Sequence, residues 1–219
     1  MLVVSDTGPI ISLSETCLLG VLQFLPFQVA VPPSVVDELV TFPLRTKHHK
    51  FSAIRIRELL GKGVIRTIGL SREARKLTYE IDSLANRVFL YHRRPLRIIH
   101  RGEIEALALA KTTNRVLVVD ERTTRELIED PEAIRDRLER RVGGRISINK
   151  DYLDELVSLI GDILVIRSVE LVAFAADQGY FSQYQSEKEA LEAALYALKY
   201  AGCSVSEEEI KRFVSGRQR

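Results

Sequence analysis

Only two cysteines occur in the 219 residues, Cys17 and Cys203, far apart and in no CxxC pairing. That scarcity excludes a disulfide framework and a cysteine-bound zinc, and it fits a reducing, cytoplasmic setting. No stretch approaches the roughly 18 uninterrupted apolar residues of a membrane helix, so no membrane association is expected. Met1 to Ile10 lacks the basic start and long apolar core of a signal peptide and reads as a strand entering a turn. Phosphate-cradling glycine patterns are missing too. There is no GxxxxGK and no GxGxxG, and Gly61-Lys62-Gly63 is too short to stand for either. An aspartyl phosphotransferase would want a second Asp two positions after Asp6, where Gly8 stands. Internal repeats are absent, and the low-complexity tract is confined to a frayed end, Ser215 to Arg219.

What is present is the balance of an ordinary globule, 46% hydrophobic and 28% charged, long enough to bury a core without staples. The net charge of +2 hides an uneven distribution. Arg45 to Arg101 holds 15 Lys/Arg against 4 Asp/Glu, which leaves 17 against 26 for the rest. A basic block on an acidic body suits a polyanionic partner as well as it suits a solvated helical surface. His48-His49, flanked by Lys47 and Lys50, reads as a solvated loop.

Leu2 to Ser5 reads as a strand, Asp6-Thr7-Gly8-Pro9 as a turn, and Ile10 to Leu22 as a helix. A second strand spans Phe27 to Val31. Pro32-Pro33 stops it, and Ser34 with Asp37 predicts a capped helix to about Val40. Phe51 to Leu60 predicts a basic helix, Val64 to Ile68 a short strand, and Ser71 to Leu90 a serine-capped helix. Glu103 to Lys111 is an Ala/Leu-rich helix, Val116 to Val119 a buried strand, and Thr123 to Glu129 a helix. Pro131 to Leu156, broken by Gly143-Gly144, resembles an insertion. Ile163 to Ile166 is the next strand, and helices follow over Val169 to Asp177, Glu187 to Tyr200 and from Ser206. Strands apolar along their whole length, alternating with helices, predict a three-layer α/β/α fold with a central parallel sheet and helical insertions.

Ligands in such sheets bind outside the carboxyl ends of the strands. Asp6 directly follows the first strand and Asp120 the strand at 116–119; Glu38 lies about one turn into its helix, and Glu103 opens another beside Gly102. Glu105 points about 200° away from Glu103 on that helix, so only one of the two is central. Gly102, which lets the backbone approach closely, favours Glu103. Like charges at close range repel and raise one another's pKa. A divalent cation relieves that repulsion, and an all-oxygen site suits Mg²⁺ or Mn²⁺. Each acid alone is as consistent with a helix cap or an exposed surface position; only the set points to chemistry.

Four segments carry a resemblance. VVSDTGPIISLS (Val3 to Ser14), VPPSVVDEL (Val31 to Leu39), RGEIEALALA (Arg101 to Ala110) and VLVVDERTTREL (Val116 to Leu127) resemble, in order, the acidic motifs of PIN domains. The tail VELVAFAADQGYF and the helix pair after it resemble a prokaryotic branch of predicted nucleic-acid-binding PIN proteins allied to the VapC-type toxins. The resemblance implies an endoribonuclease that hydrolyses RNA phosphodiesters with a divalent metal. It makes Asp6, Glu38, Glu103 and Asp120 the catalytic acids, with Asp6, Glu103 and Asp120 on the metal. Thr7 matches the hydroxyl that supports the first acid, and Glu105 and Glu121 are supporting acids. Glu121 directly follows Asp120, which leaves the register of the fourth acid open by one position. Val118-Val119 stands where many members have Thr or Ser.

On this reading RNA is the substrate and Arg93, Arg94, Arg97 and Arg101 contact its phosphates. Tyr79, Phe89 and Tyr91 either stack on unpaired bases or pack under the long helix. The allied toxins bring an antitoxin protein and a homodimer into view. The chain is expected to be a single PIN-like domain over 1–219. It would carry a basic inserted segment at about 43–100, a charged insertion at about 130–160 and a C-terminal helical extension at about 185–219; those extra segments depart from the compact toxins. The alternative is a non-catalytic PIN-like RNA-binding or scaffold protein.

Overall fold

The computed structural model describes residues 2–216, so part of the expected frayed end, residues 217–219, and Met1 lie outside the described residues. The chain opens with β1 (Leu2–Ser5), α1 (Thr7–Glu15) and β2 (Gln28–Val31). A short helix α2 (Pro33–Val36) then widens into a π-turn over Asp37–Thr41 and tightens again as α3 (Phe42–Leu44). Next come α4 (Lys50–Gly61), β3 (Ile65–Thr67), α5 (Arg72–Val88), β4 (Phe89–Tyr91) and β5 (Arg94–Pro95). The second half runs α6 (Arg101–Thr113), β6 (Leu117–Val118), α7 (Arg122–Glu129), α8 (Pro131–Val142), β7 (Ile146–Ile148) and α9 (Lys150–Ile160). It ends with β8 (Val165–Ile166), α10 (Ser168–Asp177), α11 (Glu187–Tyr200) and α12 (Glu207–Ser215).

Five strands form one parallel sheet in the order β3-β2-β1-β6-β8. Side chains alternate across a strand, and both faces are buried. Val3 and Val118 enter a core with α1, α4, α10, α11 and α12. Val4, Leu117 and Val119 enter a second core with α5 to α9. These are the three layers that continuous apolar strands require. Among the described residues no helix is long and apolar enough to cross a membrane.

Several local expectations change. Ser34 does not cap α2: Pro32 holds that position, the Ser34 hydroxyl is buried without a partner, and Glu105 Oε2 accepts the Ser34 amide at 3.2 Å. The helix expected over Ile10–Leu22 breaks at Cys17, whose φ is +62°, and resumes as a 3₁₀ turn at Leu19–Gln23. The serine cap of α5 is present, with Ser71 Oγ accepting the Ala74 amide at 3.0 Å, but the helix stops at Val88 because Phe89 turns extended.

That extension starts a second, antiparallel sheet, β5-β4-β7, which the sequence pattern did not reveal. It pairs Phe89 with Ile148 and Tyr91 with Ile146, so the segment before α6 and the charged segment after α7 are stitched together. The β4–β5 turn uses His92 and Arg93, both at positive φ (48° and 62°), the geometry a two-residue hairpin favours. At Gly144 the backbone lies against the Tyr91 ring, 2.9 Å from where a Cβ would stand, so a side chain there would collide.

Candidate active site

From β1 the chain builds outward through β2 and β3, then returns to place β6 and β8 on the other side of β1. The carboxyl ends of β1 and β6 therefore flank the point where strand order reverses, the usual ligand crevice of an open α/β sheet. A cavity of about 450 Å³ opens there. The acids lining it are Asp6, Glu38, Glu103 and Glu121.

Asp6 follows β1 at the N-cap of α1 and is only 4% exposed. Its Oδ1 is buried and has no hydrogen-bond partner. Burial is the main reason its pKa is pushed up to about 8; the charge of Glu103 and then of Glu38 add to it, while the Thr7 and Gly8 amides oppose it. Glu38 sits in the π-turn, a device often found at functional sites. Its carboxylate accepts the Thr7 hydroxyl and lies on the backbone of Gly102. A Cβ at residue 102 would stand 2.7 Å from Glu38 Oε2, so glycine is what lets α6 and this carboxylate meet.

Glu103 Oε2 accepts the His100 amide at 2.7 Å, closing the start of α6, and Oε1 accepts the Thr124 hydroxyl at 2.6 Å. Burial raises its pKa despite these bonds, and the charge of Glu121 contributes. Glu121 caps α7, accepting the Thr124 amide at 2.9 Å and the Thr123 hydroxyl at 2.7 Å. Thr124 thus joins two of the acids, its hydroxyl on one and its amide on the other.

Asp120 and Glu121, the two candidates for the fourth acid, stand in different surroundings. Asp120 follows β6 as expected but does not line the cavity. Its Oδ1 accepts the Ser168 amide and its Oδ2 the Ser168 hydroxyl, each at 2.7 Å, so the carboxylate is spent on starting α10. Both oxygens of Asp120, a residue expected on the metal, are thus taken up by Ser168, while Glu121 lines the cavity beside Asp6, Glu38 and Glu103. The Thr7 hydroxyl, expected to support Asp6, donates to Glu38, while the Thr7 amide acts on Asp6. Glu105 points away from the cavity, as its helical position required, and pairs with Arg101 Nε at 2.8 Å. Arg101 is thereby engaged outside the cavity. Arg93 and Arg94 stand exposed on the small hairpin, also outside it, and of the four expected arginines only Arg97 lines it.

Two further arginines, Arg137 and Arg141 of α8, complete the basic side. Arg137 is held by Glu126 Oε2 and Thr123 Oγ1, both at 2.9 Å; Arg141 makes no ion pair or hydrogen bond among the described residues. Their i, i+4 spacing put them on one helix face in the sequence, but nothing local showed that this face meets the acids. His100 lines the same cavity.

Among the described residues no group of three or more His, Cys, Asp or Glu side chains stands ready to hold a metal ion. One oxygen of Glu38 and both oxygens of Glu103 and Glu121 are engaged by the hydroxyls and amides just named. The chemistry of the set still suits a hard cation. All donors are carboxylate oxygens, the charges of Glu103 and Glu38 help to raise the Asp6 pKa, and Asp6 Oδ1 is a buried acceptor with nothing to accept.

A family model described as a PIN domain matches residues 2–130, more than half of the chain and all four acidic motifs. The protein belongs to the PIN-domain family. Among solved structures, the crystal structure of VapBC2 from Rickettsia felis bound to a DNA fragment from their promoter is similar at 12% identity. That match covers 76% of this chain and 98% of the other, with a TM-score of 0.42. No curated protein matches the chain.

Proposed function

We propose that this PIN domain is a divalent-metal-dependent endoribonuclease that hydrolyses RNA phosphodiesters. The observation that carries the reading is the buried Asp6 carboxylate, one oxygen of which has no partner, among three other acids and beneath a rim of Arg97, Arg137 and Arg141. Asp6, Glu38, Glu103 and Glu121 would hold Mg²⁺ or Mn²⁺, which when bound lowers the pKa of a water and clamps phosphoryl oxygens. The rim arginines would bind the phosphate and offset its charge as the attacking oxygen adds. Thr7 and Thr124 orient Glu38 and Glu103 through their hydroxyls. Asp120 acts at one remove, fixing the end of β6 on which Glu121 is carried.

RNA is then the substrate. A protein antitoxin and a second copy of the chain are the partners that a toxin role would bring, in the cytoplasm. The test is cleavage of mixed single-stranded and structured RNAs with Mg²⁺, Mn²⁺ or chelator present, using wild type and Asp6→Asn. Metal-dependent cleavage by wild type alone supports the proposal. RNA binding with no cleavage under any metal would favour the scaffold reading.

A further inference from the structure

A second cavity, about 400 Å³, lies on the other side of Arg97, which lines both. Its wall is a stripe of α5: Tyr79, Asp82, Ser83, Asn86 and Arg87 recur at helical spacing and face Pro95 and Arg97. Tyr79 is not core under the long helix; it is 82% exposed, whereas Phe89 is wholly buried and Tyr91 rests against Gly144. The Tyr79 ring is open to solvent on the wall of the groove.

The extended segment after β5 that carries Arg97 is held in place from this same helix. Asn86 Oδ1 accepts the amides of Ile98 at 2.9 Å and Ile99 at 3.3 Å, and the Asn86 amide donates to Asp82 Oδ1 at 2.7 Å. Arg97 is therefore fixed as a ridge between the acidic cavity and the α5 groove. Arg87 makes no ion pair among the described residues, which leaves its charge available at the groove.

We infer that this groove is a nucleobase subsite for a single-stranded RNA whose scissile phosphate occupies the acidic cavity. The inference rests on the nuclease reading for its geometry and adds the substrate class. Tyr79 supplies the stacking face, as single-strand recognition uses exposed aromatics. Arg97 takes the phosphate between the subsite and the reacting bond, and Arg87 the phosphate beyond the base. Asp82 has an oxygen free to accept an exocyclic amino group, so cytosine, adenine or guanine fits better than uracil. A duplex would not serve, because its bases cannot leave the stack to reach Tyr79 without unpairing.

The test is fluorescence anisotropy of short labelled RNAs on the full chain with Ca²⁺ in place of Mg²⁺. Wild type, Tyr79→Phe and Tyr79→Ala are compared on an intact strand and on strands with one abasic position each. Tyr79→Ala should weaken the intact strand by roughly 5- to 100-fold, as lost base stacking does. Tyr79→Phe should bind like wild type. The alanine effect should vanish for one particular abasic position, which a general loss of structure cannot mimic. Equal binding by Tyr79→Ala and wild type, alongside RNA cleavage that Asp6→Asn abolishes, overturns the subsite and leaves the nuclease standing. A position-specific Tyr79 effect in a protein that cleaves nothing supports the subsite and ends the nuclease reading. No RNA binding by wild type overturns both.

Discussion

Replacing Asp6 by Asn should stabilise the metal-free protein while abolishing cleavage, and the size of the gain should depend on pH. Burial, with Glu103 and Glu38 nearby, moves the Asp6 pKa from 3.8 to about 8. A carboxyl whose folded pKa is raised stabilises the fold fully below its unfolded pKa; that contribution is lost as pH climbs through the folded value. Each unit corresponds to about 1.4 kcal/mol. Wild type therefore loses about 1–2 kcal/mol by pH 5 and at most about 4 kcal/mol by pH 7, levelling off beyond pH 8. Asn at residue 6 never ionises, and its amide nitrogen can take the place of the unpartnered Oδ1. The two proteins should melt together near pH 4 and diverge between pH 4 and 8. Even a third of the upper figure, about 1.5 kcal/mol, would shift Tm by about 3–6 °C for a chain of this size. The assay is calorimetry or urea denaturation across that range in chelator, then with Mg²⁺ or Mn²⁺. Metal should raise the wild-type Tm by linkage and the variant's much less. A variant that is less stable at every pH, or a gap that does not change with pH, would show Asp6 to be a structural cap and refute the reasoning.

Asp120→Asn should behave oppositely. It keeps one acceptor where Ser168 offers two donors, so stability should fall by about 1–3 kcal/mol with or without metal; Ser168→Ala should fall by a similar amount, and denaturant midpoints check both. Gly102→Ala places a Cβ 2.7 Å from Glu38 Oε2. Cleavage should drop about tenfold or more even though alanine favours the helix by about 1 kcal/mol, and kcat measured beside Tm separates the two effects. Arg97→Glu should flatten the salt dependence of RNA binding by more than Arg93→Glu or Arg94→Glu, because only Arg97 lines the acidic cavity. Equal slopes for the three would make the hairpin, not the rim, the RNA contact.

What the amino-acid sequence determined by itself is the framework on which the site stands. Val3-Val4 and Leu117-Val118-Val119 are apolar on both sides of the pleat, so they had to be interior strands under two helical layers. Parallel strands put their following residues at one edge, which brings Asp6 and the Asp120-Glu121 pair together. Spacing along α6 also turned Glu103 and Glu105 apart, and Gly102 marked a close approach. These are local rules of period and direction, and a short stretch of chain obeys them wherever it is folded.

The tertiary structure alone decided what each carboxylate touches. A free Asp after a strand and an Asp consumed by a helix start look identical in sequence, and the donor that claims Asp120 is Ser168, 48 residues away. In the same way Thr7 finds Glu38, Glu105 finds the amide of Ser34, and Arg137 and Arg141 reach the cavity from a segment that reads only as charged. The pairing of β4 with β7, which stitches together the segments flanking the site, depends on backbone groups that carry no side-chain signature. A buried polar group must be satisfied by whatever stands beside it in space, and that neighbour is set by how the layers pack rather than by the order of the chain.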